Sequence, residues 1–298
     1  MSVDAFENIR KTAIDKGGFF RDLSNNFVSY VPGNSNLIVS FDNAYSPTVS
    51  ENRKPYGFNF ISRQGWSSLG VMEKKKNWFR EEDLRDLFDE LKADSFFSRF
   101  KKVIFYGASM GSLGTTVYSS AAPNSTVLIY GPRATHNHKY FSETGFLEQS
   151  DNRHDSVQDS AAKAEKVFLF YYPLNKNDAK HAEFFNGPNT ELFKCRHLGH
   201  VVANEFSSMT TLKPILEKVV SESFDKAEFY KLFRQRKTST SYIHKLMMAA
   251  ISKGHYSLAL QIVMRMTYQL ESGPVRWKFR QHRKGLRHAI NKGESYNP

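Results

Sequence analysis

The feature that most limits the fold is a train of runs that are apolar on both faces. NFVSYVPG, NLIVSFDN, YGFNFISRQGWSSLGVM, KKVIFYGAS, STVLIYGPR, KVFLFYYPLN and ELFKCRHLGH follow one another through the first three quarters of the chain. Several are rich in Val, Ile, Phe and Tyr with no polar alternation, the pattern of strands covered on both sides in a parallel sheet. Helical stretches lie between them. EEDLRDLFDELKADSFFSRF places Leu84, Leu87, Phe88 and Leu91 on one face with charges opposite. GSLGTTVYSSAA is small enough to pack closely on a sheet, and VVANEFSSMTTLKPILEKVV follows the last run. This alternation predicts an α/β fold, a mostly parallel sheet flanked by helices with right-handed crossovers. A hydrophobic content of 40% supplies a core for it and argues against disorder over most of the length.

After about residue 222 the strand pattern stops. FDKAEFYKLFRQRK and SYIHKLMMAAISKGHYSLALQIVMRMTYQL read as helices. Two parts are therefore expected: a main domain over 1–222 and a helical C-terminal extension over 223–298. SKGHYSLALQIV is similar to the second helix of a tetratricopeptide unit. It occurs once, and a solenoid needs about three repeats, so a helical hairpin is expected instead. The net charge of +12 is uneven. From Arg276 to Lys292 the chain carries Arg276, Lys278, Arg280, Arg283, Lys284, Arg287 and Lys292 without a carboxylate. This tail after Pro274 shows no clear hydrophobic face and is expected to be partly mobile. Binding of nucleic acid or another acidic surface is one use for it.

The run KKVIFY breaks into Gly107-Ala108-Ser109-Met110-Gly111, and a small-residue helix follows. A serine on a sharp strand-to-helix turn lifts its oxygen clear of the backbone. The N–H of Met110, at the helix start, can then donate to an oxyanion. Serine needs a base. The strand KVFLFYYP leads into LNKNDAKHAEFF, which contains Asp178, and TELFKCRHLGH ends in His200. The order Ser109, Asp178, His200 puts each beyond the C-terminal end of its own strand, the edge where open α/β sheets bind ligands. Competitors remain: His197 for the base, and Asp42, Asp155 and Asp159 for the acid. Asp178 could instead cap a helix, and His181, one turn further on, reads as a supporting residue.

With the elbow GASMG, the acid-bearing NDAKH and the ending HLGH, residues 27 to 220 resemble the α/β-hydrolase superfamily. VSFDN, GWSSLGV, VIFYGASMG and CRHLGH are similar to a poorly characterised bacterial group within it. The resemblance implies the fold and a Ser-His-Asp triad, and it names no substrate. The SFDN strand lacks the His-Gly signature of many lipase oxyanion loops. By position, the second oxyanion donor is then the backbone N–H of Asn43 or Ala44.

The expected chemistry is cleavage of an ester or related acyl bond by a serine hydrolase, with no metal or organic cofactor. Acyl transfer to a sugar or other hydroxyl would use the same triad. A non-catalytic adaptor, binding a partner through the C-terminal helices and basic tail, is a third reading. Arg133, in YGPRAT at the same edge, could bind a substrate carboxylate or phosphate or make a structural ion pair. The polar stretch 135–160 has room for a small lid at most. His136 and His138 lack the further ligands a zinc site needs, and Cys195 reads as a buried, inert thiol. No run is long and apolar enough to span a membrane. With one cysteine and no apolar h-region near the N-terminus, no secretory leader is expected and a cytoplasmic location fits.

Overall fold

The computed structural model describes residues 6–43, 53–75, 77–135, 157–270, 273–296 and 298. The chain forms two compact units: 1–203 with 216–223, and 204–215 with 224–298.

The first unit is built on one eight-stranded sheet. In chain order its elements are α1 (Glu7–Asp15), β1 (Phe19–Asp22), β2 (Asn26–Val31), β3 (Asn34–Phe41), α2 (Phe58–Arg63), β4 (Trp66–Glu73), α3 (Glu82–Ala93), β5 (Lys102–Ala108), α4 (Met110–Tyr118), β6 (Thr126–Tyr130), α5 (Val157–Lys163), β7 (Lys166–Tyr171), α6 (Lys176–Glu183) and β8 (Thr190–Lys194). The strand order is β1-β2-β4-β3-β5-β6-β7-β8. The β1–β2 and β2–β4 pairs are antiparallel, and every later pair is parallel. The absence of alternation in the sequence has its cause here: all eight residues of β4 and all five of β6 are buried, because layers cover both faces.

The helices follow their apolar stripes. α3 buries Leu84, Leu87, Phe88 and Leu91, the four residues its periodicity singles out, and carries Glu82 and Asp83 in its first turn, where the helix dipole favours acid. Phe88 and Phe41 of β3 stack with Tyr118 of α4, and the Tyr118 hydroxyl donates to the Phe79 carbonyl at 2.8 Å. α4 is buried along its whole length, which its Gly, Ser and Thr content permits.

One expected strand is divided in the structure. The run YGFNFISRQGWSSLGVM is not one strand: Phe58–Arg63 is the helix α2 and only Trp66–Glu73 is β4. Six residues make less than two turns, too few for helical periodicity to stand apart from alternation. The N-terminal segment holds α1, with Ile9 and Ala13 buried, and the half-exposed edge strand β1. β8 ends at Lys194, so His197 and His200 both lie in the turn beyond it.

Helices α7 (Val202–Ser208) and α8 (Leu212–Val220) straddle the division between the units. The second unit contains α9 (Lys226–Phe233), α10 (Thr240–Ser252), α11 (Tyr256–Gln269) and α12 (Pro274–Lys292). Asp225 caps α9 by accepting from Glu228 N, and Ser239 caps α10 by accepting from Tyr242 N. Met247, Ile251, Val263 and Met266 form its core with Phe279 and Leu286 of α12. The tail expected to lack an apolar face is thus a 19-residue helix that buries Phe279, Leu286 and Ala289. The stripe is sparse, which hid it among the basic residues. Among the described residues, no helix is long and apolar enough to cross a membrane.

Candidate active site

The four parallel strands β5 to β8 deliver the expected residues to one edge. Ser109 stands between β5 and α4 with φ +52° and ψ −121°, a conformation L-residues rarely adopt. Holding a non-glycine residue there costs about 1–3 kcal/mol and requires support from its surroundings. Ser109 N donates to Tyr130 O at 2.9 Å, and Ser112 Oγ donates to Ser109 O at 2.5 Å. Gly111 allows the start of α4 to lie on the end of β3: a β-carbon there would stand 2.5 Å from Asp42 O and 2.8 Å from Phe41 O. Met110, the first residue of α4, has an N–H for which helix geometry provides no acceptor.

Asp178 is fully buried in the first turn of α6. The cap of that helix is Asn175, whose side chain accepts from Asn177 N at 2.9 Å and Asp178 N at 3.1 Å, so the Asp178 carboxylate is not spent on capping. His200 places Nδ1 2.7 Å from Asp178 Oδ1 and Nε2 3.0 Å from Ser109 Oγ. A carboxylate can only accept. Nδ1 therefore carries the proton, and Nε2 presents a lone pair to the serine hydroxyl. The His200 side chain is 20% exposed, and Ser109 is half-buried, so both open toward solvent.

Among the described residues, the acid that meets this histidine is Asp178. Asp42 is buried in an ion pair with Arg53. Asp159 is exposed on α5. Asp155 lies outside the described residues, as do Ala44, His136, His138 and nearly all of the stretch 135–160. His197 occupies the turn after β8 with φ +63°. Asn43 directly follows Asp42, next to the approach of Gly111.

Two neighbours were not fully foreseen. Arg133 is buried, with Nη1 3.3 Å from Asp178 Oδ1. His181, one turn after Asp178 on α6, is fully buried and accepts from Ala134 N at 3.1 Å. Burial, with the nearby Arg133 and His200, holds the His181 imidazole down to about 3. Cys195 is fully buried, and burial pushes its thiol well up. Among the described residues no group of three or more His, Cys, Asp or Glu side chains could hold a metal ion. A cavity of about 430 Å³, lined by Lys101, Lys102, Asn124, Ser125 and Glu165 among others, opens at the opposite edge of the sheet from Ser109.

The strand order, with β2 alone running against an otherwise parallel set and a strained serine turn after β5, decides the architecture. The fold is that of the α/β hydrolases. No family model and no curated protein sequence matches the chain. Solved structures with similarity to it include the capsule O-acetyltransferase of Neisseria meningitidis serogroup A, at 12% identity and a TM-score of 0.47, covering 65% of this chain and 93% of that one. The α/β hydrolase MGS-MChE2, from the metagenome of Mar Chica lagoon sediments, is 13% identical with a TM-score of 0.44, covering 68% and 98%. Est1E from Butyrivibrio proteoclasticus is 10% identical with a TM-score of 0.43, covering 67% and 98%.

Proposed function

We propose that this α/β-hydrolase-fold chain cleaves an ester or related acyl bond through a covalent acyl-serine. One observation carries the reading: a continuous hydrogen-bonded line from Ser109 Oγ to His200 Nε2 at 3.0 Å and from His200 Nδ1 to Asp178 Oδ1 at 2.7 Å. Ser109 Oγ attacks the carbonyl carbon as its proton passes to His200 Nε2. Asp178 fixes the tautomer and stabilises the imidazolium that forms. The Met110 N–H, at the positive end of α4, donates to the oxyanion, with a second donor from the backbone of Asn43 or Ala44. His200 then returns its proton to the leaving group. It next takes one from water, which attacks the acyl-serine, and returns it to Ser109 Oγ as the acyl–oxygen bond breaks and the acid leaves. The partner this requires is a small-molecule or glycan acyl ester. A hydroxyl acceptor in place of water would turn the same cycle into acyl transfer.

The test is labelling with a fluorophosphonate, located by peptide mass spectrometry. Modification at Ser109, abolished in Ser109→Ala, supports the nucleophile. Absence of labelling in folded protein counts against it. Turnover of a p-nitrophenyl ester with and without added alcohols then separates hydrolysis from transfer by the products formed.

A further inference from the structure

Arg133 touches both ends of the hydrogen-bonded line without belonging to it. Its backbone N–H donates to Ser112 Oγ at 2.7 Å, and Ser112 Oγ in turn donates to the Ser109 carbonyl at 2.5 Å. Its guanidinium Nη1 lies 3.3 Å from Asp178 Oδ1, the same oxygen that accepts from His200 Nδ1. Nη1 is also 3.4 Å from the Pro132 carbonyl. Asp178 Oδ2 has no protein hydrogen-bond partner among the described residues. Among the described residues, the side-chain bonding of this fully buried carboxylate thus passes through one oxygen shared by two cationic or potentially cationic groups. The next residue, Ala134, donates its N–H to His181 on the helix that carries Asp178.

We infer that Arg133 is a positioning residue for the triad: it fixes Asp178 Oδ1 between α6 and the turn after β6, and it competes with His200 for that oxygen. This rests on the function proposed above. The side chain is only 9% exposed, so its charge is spent inside the protein rather than on a substrate. The electrostatic consequence has a definite sign. Among the described residues, the titratable groups bonded to Asp178 are His200 and Arg133, and His181 lies near both of these. His181 stays neutral in the folded chain until about pH 3. The fixed positive charge of Arg133 opposes a second positive charge on the imidazole of His200. Without Arg133, Asp178 Oδ1 belongs to His200 alone.

The experiment compares Arg133→Gln and Arg133→Lys with the wild type. The pH dependence of kcat/KM is measured on a neutral and on an anionic ester. The low-field imidazole N–H proton signal of His200 is recorded by NMR in Ser109→Ala backgrounds. For Arg133→Gln the acid limb is expected to move to higher pH, because a fixed positive charge is lost beside Asp178. KM should change alike for the two esters, and the N–H signal should move further downfield. Arg133→Lys should restore most of both properties. A rise in KM for the anionic ester alone, with the acid limb in place, would overturn the inference and make Arg133 a substrate-binding group. A fall in kcat with neither the limb nor the signal moved would reduce it to a structural residue. If the wild type turns over neither ester, the enzyme reading fails, and the NMR comparison still decides the role of Arg133. If Arg133→Gln does not fold, Arg133→Met, which fills the site without the charge, is read in the same way.

Discussion

Gly131 holds its backbone against His200: a β-carbon at Gly131 would lie 2.6 Å from the His200 carbonyl oxygen and 3.3 Å from its Cε1. Gly131 also has φ +62°, and its N–H donates to Phe170 O at 2.8 Å. Gly131→Ala therefore combines a left-handed backbone with a contact that a rigid β-carbon cannot relieve. It is expected to cost about 1–3 kcal/mol of stability and to move the imbedded imidazole away from Ser109. Chemical denaturation and ester turnover check this. A variant with wild-type stability and turnover would show that His200 does not depend on this approach.

The buried ion pair of Arg53 and Asp42 joins residues at the two ends of the segment between β3 and α2, and Arg53 Nη1 donates to Glu73 O at 2.8 Å. Removing one partner leaves a buried charge without compensation. Arg53→Met is expected to cost about 3–5 kcal/mol in urea unfolding, and Arg53→Met with Asp42→Asn markedly less than the sum of the single changes. Strict additivity would contradict the pairing.

Burial pushes the Glu73 carboxyl up to about 7; the N–H groups of Asn77 and Trp78 and the Arg53 guanidinium oppose this, and Asp42 adds to it. The unfolded chain releases that proton near 4.5, whereas the folded chain keeps it until about 7. The folded state holds more protons between these values, so this contribution to stability is complete below about 4.5 and is lost as pH rises through 7. His181 acts in the opposite sense: burial holds it at about 3 instead of 6.5, and acidification through that window removes stability. Glu73→Gln should abolish the first dependence only. The stability difference between wild type and Glu73→Gln should fall from pH 4.5 to 7 with a slope of up to about 1.4 kcal/mol per pH unit. Parallel curves would refute it.

In the second unit, Leu286→Ala is expected to cost about 2–5 kcal/mol, because Leu286 is fully buried with Met247 and Val263. Deleting residues 275–298 removes Phe279 and Leu286 from the same core, so that truncation should destabilise the helical unit rather than trim a loose tail. Urea unfolding of the full chain, followed by a probe in this unit, measures both. Wild-type stability in either variant would contradict the packing of α12.

What could be read in advance followed from local pattern. The unbroken apolar runs of β5 to β7 gave away a sheet covered on both faces, and the break after Tyr106 marked the strained turn at Ser109. The chain order of Asp178 and His200 placed them at the same edge because parallel strands all end there. What escaped depends on pairings that no local pattern encodes. Arg133 meets Asp178 across 45 residues, an encounter created by the adjacency of β6 and β7. Asp42 meets Arg53 across 11 residues. α2 is too short for its periodicity to register, and α12 buries few apolar residues among many basic ones.

The most direct test of the central claim is kcat/KM for a simple ester in Ser109→Ala, His200→Ala and the double variant, each shown to be folded. Groups acting as one proton-transfer unit give non-additive losses. Ser109→Ala should remove nearly all turnover, His200→Ala should do comparable damage, and the double variant should be little worse than either. His197→Ala should be mild by comparison. Turnover that survives unchanged in Ser109→Ala would contradict the account, and so would activity that depends on His197 and not on His200.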